Sequence, residues 1–160
     1  MSFKDLLLAL TTYPEPTPAS AVDDATAIAG ALGAKISAIT CEVKIKPPGS
    51  LLYDVLPDIQ GIVSAEIKKS ATNAEKLLAA FQDSATKMGV FQERISEQCL
   101  ASEVPQVLVE YARLRDLIIL PISEGDSVGR WYSEAVIFES GRPTIVLPHT
   151  RRPHLSHSIL

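Results

Sequence analysis

The sequence predicts an α/β domain: an open, doubly wound parallel sheet with helices on both faces, in the order βαβαβαβαβ. Two observations carry this. Leu117-Ile118-Ile119-Leu120 and Thr144-Ile145-Val146-Leu147 are short, unbroken apolar runs, which suit parallel strands covered on both faces. Between such runs lie longer segments with apolar residues at helical spacing, and right-handed crossovers place those helices on either side of one sheet. A chain of 160 residues can close one proper core, and an apolar fraction of 46% against 21% charged is that of a globular chain.

Taken in order, residues 6–10 read as the first buried strand. Thr17-Pro18 offers an N-cap with proline at the first helical position. Val22, Ala25, Ala29 and Leu32 then repeat at helical spacing up to Gly33. Residues 35–43 form the second strand around Ile36, Ala38 and Ile39. Residues 44–56, centred on Pro47-Pro48-Gly49, are the least regular part, either an insertion or a lid. A long helix follows over 57–88, with Gly61 as a candidate break and Gly89 as its stop.

Residues 91–97 (FQERISE) alternate more than the other strands, which suggests a sheet edge with one wet face. Ser102 is a good N-cap for a helix carrying Val104, Val107, Leu108 and Tyr111. The fourth strand, 117–120, is expected to stop at Pro121, which cannot donate to a ladder. Trp131, Ala135 and Phe138 mark the last helix, with Trp131 as a core or dimer contact. The fifth strand, 144–147, stops at Pro148. Residues 1–150 form the domain, and the patternless tail 151–160 is a candidate mobile segment.

Several function classes are excluded. A net charge of -4 gives no basic surface for nucleic acid or an anionic membrane. No run is long enough to span a bilayer, and the amino terminus lacks the pattern of a signal peptide, so a cytoplasmic protein is expected. Cys41 and Cys99 have no metal-ligand spacing, and His149, His154 and His157 are loosely spaced near the end, so neither a metal site nor a disulfide framework is expected. No Ser–His–Asp set or carboxylate pair is visible, so an enzyme is not expected.

The opening Lys4-Asp5-Leu6-Leu7-Leu8-Ala9-Leu10-Thr11, the junction Leu32-Gly33-Ala34-Lys35-Ile36-Ser37, the run Asp116-Leu117-Ile118-Ile119-Leu120 and the pair Ser133-Glu134-Ala135-Val136 with Arg142-Pro143-Thr144-Ile145-Val146 share an order and spacing. Together they resemble the universal stress protein family over about residues 3–148. The resemblance implies a five-stranded sheet in the order 3-2-1-4-5, of the adenine-nucleotide-hydrolase-like type, a role in stress response, and a homodimer joined along the last strand. Thr144, Ile145, Val146 and Leu147 would form that interface, since an apolar strand edge needs covering; the alternative cover is the tail of the same chain. In this topology Cys41 and Cys99 fall near the carboxyl ends of adjacent strands and could approach each other, as reduced thiols or as a reversible disulfide.

ATP-binding members of that family carry Gly-x2-Gly-x9-Gly-Ser/Thr after the fourth strand and an aspartate at the end of the first. Glycines let backbone N–H groups approach phosphates, and a helix start adds favourable charge. Here Pro121 stands at the first glycine position, Arg130-Trp131 at the Gly-Ser pair and Thr11 at the aspartate, and Glu124 and Asp126 add negative charge. Each donor lost to an anion costs roughly 1–3 kcal/mol, so losing two or more takes micromolar binding to about millimolar. Triphosphate binding in the usual mode is therefore not expected, and no cofactor is favoured, with ATP or AMP in a divergent pose as the alternative. The action would then go through an unknown protein partner or an unidentified small ligand; the adenine-nucleotide enzymes and flavoprotein subunits related to the family are a further alternative. Any such ligand would meet Thr11, Thr12, Cys41, Pro121, Ser123, Gly125, Ser127, Gly129 and Arg130. The plain reading of the last five is a polar turn with Asp126 or Ser127 as N-cap.

Overall fold

Nine elements follow one another in a computed structural model that describes residues 2–45 and 57–150. They are β1 (Asp5–Leu10), α1 (Ala19–Leu32), β2 (Lys35–Lys44), α2 (Pro57–Lys87), β3 (Phe91–Leu100), α3 (Val104–Ala112), β4 (Leu117–Ser123), α4 (Ser127–Glu139) and β5 (Thr144–His149). All strand pairs are parallel, in the order β3-β2-β1-β4-β5. Most of the predicted lid, 46–56, and the tail 151–160 lie outside the described residues.

The unbroken apolar runs follow from cores on both faces. Leu6, Leu8 and Leu10 of β1 join one cluster with Val22, Leu78 and Phe81 from α1 and α2. Leu7 and Ala9 point the other way, into a cluster with Leu108, Val109, Tyr132 and Val136 from α3 and α4. Successive side chains of a strand face opposite sides, so each position in the run has its own core to fill. β3 is an edge, as FQERISE predicted; Gln92, Glu93 and Arg94 are all exposed, and its burial alternates from Ile95 on.

Four local expectations are corrected. β4 and β5 do not stop at their prolines: Pro121 pairs with Leu147, Ile122 with Pro148 and Ser123 with His149. The Ile118 N–H donates to Pro143 O of the segment entering β5, so alternation turns the donors of odd-numbered β4 residues toward β1. The position of Pro121 faces β1, where pairing has already ended at Leu8 and Ile119; no ladder bond to β5 is lost. By the same alternation the missing donor of Pro148 lies on the open side of β5, where proline is tolerated.

Gly61 does not break α2, which is continuous over 31 residues; one exposed glycine costs about 1 kcal/mol against cooperative propagation from both sides. Neither Thr17 nor Ser102 is an N-cap. Pro18 precedes α1, while the Thr17 hydroxyl accepts from the Thr11 N–H at 2.9 Å. Ahead of α3, Ser102 sits inside a 3-10 turn over Ala101–Glu103, and the Glu103 carboxylate accepts from the Leu100 N–H at 2.8 Å. Finally, α4 turns Gly129, Tyr132, Ser133 and Val136 inward. Trp131 and Phe138 are 47% and 81% exposed, so Trp131 is not a core residue of the chain. Small residues, rather than the aromatic stripe, mark its packing face.

Candidate functional site

The sheet's connection reverses between β1 and β4, and in open α/β sheets ligands sit at the carboxyl end of such a reversal. Pairing between β1 and β4 ends at Leu8 and Ile119, so the two strands have parted by Pro121. The opening is a cleft lined by Leu10, Thr11, Thr12 and Tyr13 after β1, Cys41 and Val43 of β2, Val104 and Leu108 of α3, Leu120 and Pro121 of β4, and Gly129, Tyr132 and Ser133 of α4. Its cavity volume is about 20 Å³, the room of a single water.

One flank is tied by hydroxyls. Beyond Leu10, β2 has no partner on the β1 side, and α2 supplies one. The Thr12 hydroxyl donates to Cys41 O at 2.6 Å and meets the Ser70 hydroxyl at 3.0 Å. The Ser70 oxygen accepts from the Val43 N–H at 3.0 Å, and the Asn73 amide donates to Thr12 O at 3.1 Å. Backbone groups left by the end of one ladder are thus satisfied within the protein, as buried groups must be.

The other flank is the start of α4. Gly125 holds φ +76, a left-handed conformation open to glycine, and turns the chain so that Asp126 becomes the N-cap. The Asp126 carboxylate accepts from the Gly129 N–H at 2.9 Å. A Cβ on Gly129 would lie 2.5 Å from the Asp126 Oδ2. The glycine is thus required by the capping carboxylate, which puts a negative charge where a helix start otherwise attracts an external anion. Arg130, one residue on, is largely exposed and pairs with Glu134 at 2.9 Å.

The structure brings together five of the nine candidate residues: Thr11, Thr12, Cys41, Pro121 and Gly129. The other four, Ser123, Gly125, Ser127 and Arg130, line a separate open concavity of about 470 Å³ with Ile122 and Asp126. Tyr13, Tyr132 and Ser133 were not among the candidates. The i, i+3, i+4, i+7 spacing of Gly129, Tyr132, Ser133 and Val136 was the available signal, disguised because two of its members are small.

Cys41 and Cys99 do approach each other. In the β2–β3 register Cys41 faces Glu97 and Val43 faces Cys99, so the two are diagonal neighbours, close enough for each thiol to influence the other. Both are free and buried. Burial, and then the neighbouring thiol, pushes Cys41 far above the ordinary thiol range. Burial also raises Tyr132 to about 12, with Cys41, Cys99 and Asp126 adding to the effect. Both groups are neutral at physiological pH. Trp131 and Tyr132 touch, with ring centroids 5.4 Å apart, but only Tyr132 faces the cleft.

Thr144, Ile145, Val146 and Leu147 lie at the opposite edge of the sheet from β3, paired on one side only by β4. Val146 is 40% exposed. By alternation the N–H groups of Thr144 and Val146 face away from β4.

No family model and no curated protein sequence matches the chain. Solved structures do. The universal stress protein UspA from Lactobacillus plantarum superposes with a TM-score of 0.62 at 14% identity, over 92% of this chain and 99% of that one. The chain has the universal stress protein fold. A universal stress protein in complex with cAMP matches with a TM-score of 0.54 at 16% identity, over 92% and 98% of the two chains. The Archaeoglobus fulgidus protein in complex with dAMP matches at 0.50 and 17%, over 91% and 98%. The order 3-2-1-4-5 and the helices on both faces are as the resemblance implied. Among the described residues no helix is long and apolar enough to cross a membrane, and no cluster of His, Cys, Asp and Glu could hold a metal.

Proposed function

We propose that this chain is a universal stress protein that has given up the triphosphate grip. In this reading it is a cytoplasmic, non-enzymatic homodimer that acts in stress response through protein contacts or a small ligand. The observation that carries the reading is the Asp126 carboxylate on the Gly129 N–H. An internal anion occupies the helix start, and Pro121 supplies no donor beside it. Two further features support it. A cleft with one water's room leaves little space for a purine and ribose, and paired free cysteines suit a reducing compartment.

Dimerisation through β5 is supported by its outward donors and its apolar side chains. Sedimentation of wild type and Val146→Pro tests it. The substitution removes an outward N–H without touching the β4 ladder, so it should give a folded monomer where wild type is a dimer. A monomeric wild type would end that part of the reading.

A second reading, an adenine-nucleotide protein with a divergent phosphate loop, is favoured by the neighbours solved with cAMP and dAMP. Melting with ATP, AMP, cAMP and dAMP separates the two. The first reading expects no shift at micromolar nucleotide; a shift of several degrees that saturates would select the second.

A further inference from the structure

Among the described residues the exposed aromatic side chains are both on α4, Phe138 at 81% and Trp131 at 47%, and Ile137 beside them is 41% exposed. Trp131 and Phe138 are related as i and i+7, so the rings stand on one line of the helix. The residues turned inward are Gly129, Tyr132, Ser133 and Val136, which puts that line on the far side of α4 from the sheet. The rings therefore add nothing to the core, and a contiguous exposed apolar patch marks an interaction site.

The surroundings of the patch are acidic. Glu134 lies between the two rings, Glu139 follows Phe138, and α3, packed beside α4, presents Glu110; all three are exposed. Between Glu103 and Glu139 carboxylates outnumber guanidiniums, and no lysine follows Lys87. Arg130 pairs with Glu134, an exposed contact that competes only weakly with a better partner.

We infer that this face of α4 docks a basic amphipathic segment of another protein. Its apolar side chains would rest on Trp131 and Phe138, and its lysines or arginines would meet Glu134, Glu139 and Glu110. The inference deepens the proposed function: it rests on the protein-contact branch and names the partner's chemistry. Other occupants fit the face less well. A second copy paired along β5 extends the sheet in its own plane and leaves the far side of α4 open. Two α4 faces brought together about a two-fold axis would set acid against acid. The same carboxylates repel an anionic bilayer.

Trp131 is the only tryptophan, so its emission reports on this face directly. The probes are a Leu/Lys amphipathic peptide of about four helical turns, its Leu/Glu counterpart, and a Ser/Lys peptide of the same charge. Added to the full chain, the Leu/Lys peptide should shift the emission to the blue, saturably, and bind about tenfold or more tighter than either of the others. Phe138→Ala should weaken it about tenfold, as loss of an aromatic anchor does. Glu134→Gln combined with Glu139→Gln should weaken it severalfold and flatten its dependence on salt. All three positions are exposed, so the variants keep the fold.

The inference is overturned if the Leu/Glu or the Ser/Lys peptide binds as tightly as the Leu/Lys peptide, or if Phe138→Ala leaves the affinity unchanged. Phosphatidylserine vesicles that shift the emission as the peptide does would assign the face to a membrane instead. Residues 151–160 include Arg151 and Arg152; if their deletion moves the emission of the free protein to the red, the chain itself occupies the face and the inference fails. It fails equally if Phe138→Ala turns a sedimenting dimer into a monomer. Saturable nucleotide binding would instead remove the functional reading beneath it, and the melting experiments detect that separately.

Discussion

The two ends of the sheet treat charge in opposite ways. At the amino end, Arg115 is 8% exposed. It reaches Asp5 of β1 at 3.0 and 3.2 Å and pairs with Glu93 of β3. Beside it, the Asp116 carboxylate accepts from the Lys4 and Asp5 N–H groups, both at 3.0 Å. These charges lock β1, β3 and the entry to β4 together. At the carboxyl end the cross-strand ties are made by Thr12, Ser70 and Asn73, all neutral, and the Asp126 carboxylate at the turn is folded back onto its own helix. In this fold ligands meet the carboxyl end. The amino end is held by ion pairs, while no charged side chain lines the cleft at the carboxyl end.

Substitutions should separate the two ends, from large effects to small. Arg115→Met leaves Asp5 and Glu93 facing each other without their cation. It should cost about 2–3 kcal/mol in urea unfolding, less than a fully buried pair because both carboxylates reach water. Thr12→Val at the carboxyl end should cost about 1–2 kcal/mol, since Cys41 O and Ser70 each lose a partner in a buried place. A loss at Thr12 equal to that at Arg115 would erase the contrast.

Gly129→Ala should cost about 1 kcal/mol or more in wild type, because the new Cβ runs into the Asp126 carboxylate. In an Asp126→Ala background, itself about 1 kcal/mol less stable for want of the cap, the same change should be neutral or stabilising, since alanine is then simply the better helix former. Additive effects in this double-mutant cycle would mean that the glycine serves something other than the cap.

The smallest effect is on pH. Cys41 and Tyr132 hold their protons in the folded state above their ordinary values. Their contribution is complete below those ordinary values and falls as pH rises from about 9 toward 12, because the unfolded chain then binds fewer protons than the folded one. Cys41→Ala should flatten the start of this decline in stability measured between pH 8 and 10.

Much of this was legible in the sequence. Uninterrupted apolar runs revealed two-sided burial, and the charged alternation of FQERISE revealed an edge. The extent of β4 and β5 was not legible. Whether a proline breaks a strand depends on which neighbour its missing donor faces, and that is a tertiary fact. The face of α4 was misread because Gly129 and Ser133, which pack inward, do not register as apolar, while Trp131 and Phe138, which do, are exposed. Thr11, Thr12, Cys41 and Pro121 could be placed together from strand ends, and Gly129 from the helix start that follows β4. Tyr132 required the helix rotation that the aromatic stripe concealed.

Calorimetric titration of the purified protein with magnesium and ATP tests the central claim most directly. Proline in the first donor position and a carboxylate at the helix start predict no saturable heat below about 1 mM nucleotide. A magnesium-dependent binding curve in the micromolar range would contradict it.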